Sequence, residues 1–194
     1  YLDHGELEAP LRRRTPAIIG VQFMGDLFHA DVPDQLIDKV LDVINRTWRH
    51  TYIVLTKRPA QAKAYIDRYG LLQGNLWLGV SVEDQQTVNE RIPILLQIHA
   101  EQRIVSVEPM LKPIDLRPYL ATRRRQRRLD WVVIGCESGP HRRPCPTEWI
   151  ADLVRQCDEN DVPVYVKQVS IDGKVSHDPS DWPESLRRQE GGKR

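Results

Sequence analysis

Short runs of β-branched and aliphatic residues recur along the chain, and stretches with helical periodicity separate most of them. Most runs are almost continuously apolar, a pattern typical of parallel strands that are covered on both faces. The predicted strands are residues 17–23, 51–56, 76–82, 103–107, 129–135 and 162–166.

The stretches between the strands place their apolar residues on one helical face. The first helix is predicted to begin near Pro33, the second at Pro59 and the fourth after Pro146. Asp84 starts the third helix, which Pro93 is expected to kink or break. Strand–helix alternation of this kind predicts βαβ units and therefore a mainly parallel sheet.

Two common nucleotide-binding patterns are missing from the sequence. Neither a glycine-rich dinucleotide fingerprint nor a phosphate-binding loop follows the first strand. A complete eightfold barrel needs about 250 residues, whereas this chain has 194. We predict an α/β fold, a partial TIM-like (β/α)6 barrel with mainly parallel strands. It forms a single domain over residues 1–170, followed by an irregular or disordered tail over residues 171–194.

Composition narrows the possible surroundings of the protein. Lys and Arg number 28 against 27 Asp and Glu, so the net charge of +1 gives no overall attraction to nucleic acid or anionic lipid. Three cysteines are too few for a disulfide framework and favour a reducing compartment. No apolar run approaches the roughly 20 residues that span a bilayer. We expect a cytoplasmic protein with no membrane partner.

Polar or charged residues follow the end of every predicted strand. The carboxyl ends of parallel strands share one rim, where ligands bind in barrels and open sheets. In strand order these residues are Asp26 and His29, Lys57 and Arg58, Ser81 and Glu83, Ser106 and Glu108, Glu137 and Ser138, and Lys167 and Gln168. Three glutamates on one rim repel each other unless cations lie among them, so the sequence predicts a functional site there.

Six segments resemble a known family when they are taken in order: FMGDLFHADVPDQ, TYIVLTKRP, LWLGVSVEDQ, RIVSVEPMLKPIDL, LDWVVIGCESGPHRRP and VPVYVKQ. They are similar, over residues 10–168, to the phage-associated gene product thirty-seven/sixty-eight family, which looks like a divergent branch of the radical S-adenosylmethionine (SAM) enzymes. The resemblance implies a partial barrel with SAM and a four-iron four-sulfur cluster at the rim.

The cluster cysteines of that family lie upstream of the segment where this chain begins. Cys136 stands where the family usually has glycine, and the cysteines here do not have the family's spacing. We therefore expect a radical-SAM-like phage-related enzyme domain of unknown substrate that is either a fragment or a degenerate member. As given, this chain is not expected to bind the usual cluster.

The resemblance also implies cofactor-binding roles at the rim. The candidate cofactor-binding residues are Met24, Gly25, Asp26, Lys57, Arg58 and Glu83. The backbone of the first three is expected to approach the amino group of SAM. Lys57 and Arg58 suit a carboxylate or phosphate, for which arginine offers a bidentate fork. Glu83 and Glu108 are expected to contact ribose hydroxyls or the sulfonium charge.

The candidate catalytic residues are Glu108, Glu137 and Lys167. Glu137 and Lys167 follow adjacent strands and are expected to form an ion pair or to bind substrate. A metal-independent lyase or isomerase is an alternative, with Glu108 or Glu137 as general base and a lysine stabilising an oxyanion.

A basic run offers a different alternative, a non-catalytic nucleic-acid-binding or regulatory module. Arg123, Arg124 and Arg125 begin this run, RRRQRR, and can contact phosphates. No aromatic residues interleave with it, which favours a solvated loop. Cys136 and Cys145 lack the spacing of a structural zinc site, so no metal site is predicted.

Overall fold

The computed structural model describes residues 4–22, 25–70, 74–121 and 127–192. This part of the chain has mixed α/β structure, with a curled, mostly parallel sheet that forms a half-barrel. The strands are β1 (Ile18–Val21), β2 (Thr51–Thr56), β3 (Leu76–Val82), β4 (Gln102–Val107), β5 (Trp131–Gly135), β6 (Val164–Ile171) and β7 (Lys174–Ser176). The α-helices are α1 (His4–Arg12), α2 (Asp34–Arg46), α3 (Pro59–Tyr69), α4 (Gln85–Leu95), α5 (Arg117–Leu120) and α6 (Thr147–Asp158).

The strands lie in the sheet in the order in which they occur in the chain. Each strand from β1 to β6 pairs in parallel with the next, and β7 is antiparallel to β6. Because crossovers between parallel strands are right-handed, an unreversed order puts the connecting helices on one face of the sheet. The prediction of a mainly parallel α/β sheet is confirmed.

The two faces of the sheet carry different side chains. On β3, Leu76, Leu78 and Val80 belong to the large core that the helices cover. The alternate residue Trp77 packs on the opposite, concave face with Ile53 and Ile104 in a smaller cluster. This division explains the nearly continuous apolar runs, because both faces of the central strands are buried.

Gly79 lies at the middle of β3 on the concave face. A Cβ atom there would lie 2.6 Å from the Leu55 side chain and 2.9 Å from both the Cβ and the carbonyl oxygen of Ile104. Side chains from the two neighbouring strands therefore close over the glycine, and its missing side chain leaves room for the sheet to curl.

The helices between the strands follow the predicted pattern with two differences, and α1 precedes β1, where the sequence pattern predicted no helix. Trp48 continues the apolar spacing of α2 in the sequence, but it lies beyond the end of that helix and is 81% exposed. Helix α4 begins with a capping box between Asp84 and Thr87 and continues through Pro93 to Leu95, so the expected break is wrong. Pro93 lies in the last turn of the helix. No helix in the described part of the chain has the length and apolar character needed to cross a membrane.

Regular elements occur in the segment after Ile171, for which we expected an irregular or disordered tail. Asp172 and Gly173 both have positive φ and link β6 to β7 in a hairpin. Farther on, Trp182 and Leu186 are 1% exposed within the main core. Residues 188–190 then return antiparallel to β6, through hydrogen bonds with Val164 and Val166, and cover its outer edge.

Replacing Gly79 by Ala is expected to destabilise the fold by about 1–3 kcal/mol, because the new methyl group overlaps Leu55 and the Ile104 backbone. Gly191→Ala is the matched control, since nothing lies within 4 Å of its Cβ position. Urea denaturation measures both variants. Equal stability of the two would show that the curl of the sheet does not depend on Gly79.

Candidate active site at the carboxyl ends of the strands

Strand register brings the rim residues of the central strands side by side. Val82 pairs with Val107, and Val107 pairs with Ile134, so Glu83 and Glu108 leave adjacent strands at the same level. On the next pair of strands, Gly135 is opposite Gln168 after a register shift. The described rim residues therefore share one end of the sheet.

Glu83 is held between two cations. One carboxylate oxygen lies 2.7 Å from Lys57 Nζ and the other lies 3.0 Å from Arg91. Its side chain is 14% exposed, whereas that of Lys57 is 54% exposed. Arg91, on α4, was not among the predicted rim residues, because a helical arginine nine residues after a strand has no distinctive local signal. The lysine thus presents its remaining donors to solvent at the rim.

Glu108 forms an ion pair with Lys167 at 2.8 Å. The same carboxylate oxygen, Oε1, also accepts a hydrogen bond from the amide of Gln168 at 2.8 Å. Within the described part of the chain, the second oxygen, Oε2, has no hydrogen-bond partner. The expected ion pair of Lys167 with Glu137 does not form, although Glu137 follows the adjacent strand β5: Lys167 reaches across it to Glu108 after β4, and Glu137 has a different partner.

Glu137 instead pairs with Arg143, which lies six residues later in the same loop. The Arg143 guanidinium contacts both carboxylate oxygens, and its backbone amide donates a further bond at 2.7 Å. The hydrogen bonds from Arg143 lower the pKa of Glu137 to about 2. A carboxylate with such a low pKa is a weak general base near neutral pH, which disfavours the lyase role for this residue.

Asp26 organises the ends of β1 and β2. Its carboxylate accepts hydrogen bonds from the Thr56 hydroxyl, the Lys57 and Phe28 amides and the Arg58 guanidinium, at 2.7–3.0 Å. Burial raises the pKa of Asp26, but these four donors outweigh burial and hold the pKa below its ordinary value. The Asp26 carboxylate thus accepts its hydrogen bonds from groups within the protein. The Gly25 amide is also paired within the protein, since it donates to the carbonyl oxygen of Gln22. Met24 lies outside the described residues.

Gln168 is the buried polar residue at the centre of the rim. Its side chain lies against Gly135, within 2.9–3.1 Å of the position that a Cβ atom would occupy there. Its amide nitrogen donates to Glu108 and, at 2.7 Å, to the carbonyl oxygen of Cys136. The amide oxygen is buried and has no partner in the described part of the chain. Such an orphan acceptor costs about 1–3 kcal/mol unless a ligand or water satisfies it.

The cysteines of the chain do not form a metal centre. All three are buried free thiols. Burial raises the pKa of Cys136, and raises those of Cys145 and Cys157 to about 12, so none is a ready thiolate. No group of three or more His, Cys, Asp or Glu residues in the described ranges can hold a metal ion. These residues do not fit a four-iron four-sulfur cluster.

Aromatic side chains close the other end of the concave face. Trp131 makes edge contacts with Trp77 and Tyr165, at ring-centroid distances of 6.1 and 6.4 Å. Its indole nitrogen donates to the carbonyl oxygen of Glu190, and Gly192 lies over Trp77. The end of the concave face that these aromatic side chains leave uncovered is the charged rim.

The described end of the basic run lies at the opposite end of the sheet from the rim. Arg127 and Arg128 precede β5 and donate to the backbone carbonyls of Gln97 and Asn160. Arg123, Arg124 and Arg125 lie outside the described residues. Their expected contact with nucleic acid stays a prediction.

A family model described as Protein of unknown function (DUF5131) matches residues 1–189, and the chain belongs to this family. No curated protein and no solved structure matches it.

Asp26→Asn is expected to lower the free energy of unfolding by about 1–3 kcal/mol near neutral pH, because a charged acceptor of four hydrogen bonds is lost. The folded-state pKa is depressed, so the stabilisation is present above the unfolded pKa and disappears as the pH falls through the folded value. The difference from wild type should therefore shrink below about pH 4. Urea denaturation of both proteins between neutral pH and about pH 4 measures this difference in the free energy of unfolding.

Asp31→Asn is the control, because that side chain is 91% exposed. An Asp26→Asn variant whose stability matches wild type at neutral pH would contradict the structural role of this carboxylate.

Proposed function

We propose that the rim binds a small zwitterionic molecule with a free amino-acid group. The description of the family to which the chain belongs assigns no activity. SAM is the first candidate, because the sequence resembles radical SAM enzymes. The proposal includes the finer description of the fold as a partial TIM-like (β/α)6 barrel, in which ligands bind at the carboxyl ends of the strands.

The orphan amide oxygen of Gln168 is the observation that carries the proposal. The amide nitrogen faces two acceptors, which fixes the oxygen on the other side of the group. A ligand ammonium group that donates to this oxygen and to the free Oε2 of Glu108 would satisfy both. Ammonium binding to a carboxylate is a charge-assisted hydrogen bond, stronger than a neutral one.

The neighbouring cations suit the carboxylate of the same ligand. Lys57 and Lys167 are about half exposed, at 54% and 50%, although each is already paired with a glutamate. Arg143 is 58% exposed beside Glu137. A lysine ammonium has three donors, so an ion pair with a glutamate leaves donors for a ligand.

Small polar residues lie on the concave face next to the rim. Ser81 and Ser106 are paired across β3 and β4, each two positions before a rim glutamate. In the described part of the chain neither hydroxyl has a hydrogen-bond partner from another side chain. Hydroxyls at this level suit the polar groups of a nucleoside attached to the amino acid.

Radical chemistry is a broader proposal that rests on the resemblance alone. A bound four-iron four-sulfur cluster would supply the electron that cleaves SAM, but the described cysteines do not fit it. The proposal made from this geometry concerns binding of the amino-acid end of the ligand.

Isothermal titration with SAM tests the proposal. Gln168→Met keeps the side-chain volume but removes the acceptor, and Glu108→Gln removes the charge. Each is expected to weaken binding about 10- to 100-fold, as for loss of a hydrogen bond to a charged group. Gln97→Met is the matched control, because Gln97 is exposed and lies in the turn after α4.

Ligand fragments separate the amino-acid end from the nucleoside. S-adenosylhomocysteine should bind and methylthioadenosine, which lacks the amino-acid group, should not. The proposal is wrong if neither SAM nor S-adenosylhomocysteine binds, or if Gln168→Met and Gln97→Met bind SAM equally.

A further inference from the structure

A basic corner with an exposed tryptophan lies at the end of the sheet opposite the rim. We define the arginine corner as Arg12, Arg13, Arg14, Arg46, Trp48 and Arg49. Two connections that enter strands form it: residues 13–17 lead into β1 and residues 47–50 lead into β2. The chain as a whole has a net charge of only +1, so this is a local concentration of positive charge.

Hydrogen bonds join the two connections. The guanidinium of Arg49 donates to the carbonyl oxygens of Pro10, Leu11 and Arg13 at 2.6–3.2 Å. The amide of Thr51 donates to Ala17 at 2.9 Å. These bonds hold the arginines that follow α1 beside the turn that carries Trp48.

Much of the positive charge in the arginine corner is not neutralised by carboxylates. Arg12 and Arg46 pair with Glu8 and Asp42 on their own helices. The contacts of Arg49 are to carbonyl oxygens, which leave its net charge in place. Arg13 and Arg14 are exposed, and in the described part of the chain neither side chain has an acidic partner. Exposed arginines with free donors bind phosphates in bidentate geometry.

Trp48 adds an aromatic surface to this charge. Its side chain is 81% exposed, the most exposed of the large hydrophobic residues in the described part of the chain. An exposed indole costs free energy in water, and in nucleic-acid-binding proteins such rings stack with unpaired bases. Base stacking requires a base that is not already enclosed in a duplex.

We propose that the arginine corner binds single-stranded nucleic acid, with the arginines contacting phosphates and Trp48 stacking on a base. Arg127 and Arg128 lie at the same end of the sheet, three strands from β2, or about 15 Å at the usual strand spacing. A strand of several nucleotides can follow this edge. An anionic membrane is a poorer fit, because one tryptophan without an apolar helix face gives little insertion.

Fluorescence anisotropy with a labelled oligothymidine of about 20 nucleotides tests this proposal. Trp48→Ala is expected to weaken binding about tenfold, whereas Trp48→Phe keeps a stacking ring and most of the affinity. Arg13→Ala with Arg14→Ala should weaken binding and reduce the slope of log affinity against log salt by about 1.4. All five positions in these variants and their control are exposed, and thermal melting checks that each variant folds.

Lys39→Ala with Lys112→Ala is the matched control, because it removes two exposed charges outside the arginine corner. The proposal predicts affinity within about twofold of wild type for this control. It is overturned if the oligonucleotide does not bind at low salt, or if the control loses as much affinity as the arginine pair.

Two further outcomes would assign the surface differently. Loss of binding only when Arg123, Arg124 and Arg125 become alanine would place the site on the basic run and overturn the arginine corner. Trp48-dependent binding to phosphatidylserine vesicles, without oligonucleotide binding, would identify a membrane surface and overturn nucleic acid as the ligand. Neither outcome depends on SAM binding at the rim.

Discussion

Parallel hydrogen bonding between strands that follow one another in the chain is the constraint on which the arrangement of this protein depends. It places helices on one face, leaves the other face concave, and brings every strand's carboxyl end to the same rim. Glu83 and Glu108 are 25 positions apart along the chain, yet the pairing of Val82 with Val107 makes them neighbours. Small residues on the concave face, above all Gly79, then allow the sheet to curl.

Charge balance at the rim follows from this convergence. Adjacent glutamates would repel each other, and each is paired with a cation from a different element: Lys57 and Arg91 for Glu83, and Lys167 for Glu108. The pairs with the half-exposed lysines Lys57 and Lys167 contribute little to stability. Their more important consequence is a rim with both signs of charge around the buried amide oxygen of Gln168, which has no partner in the described part of the chain.

The two ends of the sheet therefore differ in chemistry. The rim combines paired charges with the serine residues Ser81 and Ser106 on the concave face, which suits a small polar ligand. The opposite end is closed on its concave side by Trp77, Trp131 and the returning tail. Outside that closure, arginines and Trp48 face solvent, which suits an extended anionic polymer. The two proposed sites lie at opposite ends of the sheet, so ligands at these sites would not compete for the same residues.

The sequence by itself determined the central strands, the helices between them and the residues at the strand ends, because apolar periodicity and proline or capping positions are local properties. The Asp172–Gly173 pair between two short β-type runs is also a local pattern, typical of a two-residue hairpin, although the sequence analysis predicted an irregular tail there. Tertiary structure alone decided which rim residues pair, since Lys167 reaches Glu108 across β5, whose own Glu137 is held by Arg143. Burial of the Gln168 amide oxygen with no partner in the described part of the chain, and exposure of Trp48 beside arginines from another segment, likewise depend on contacts between segments that are far apart in the chain.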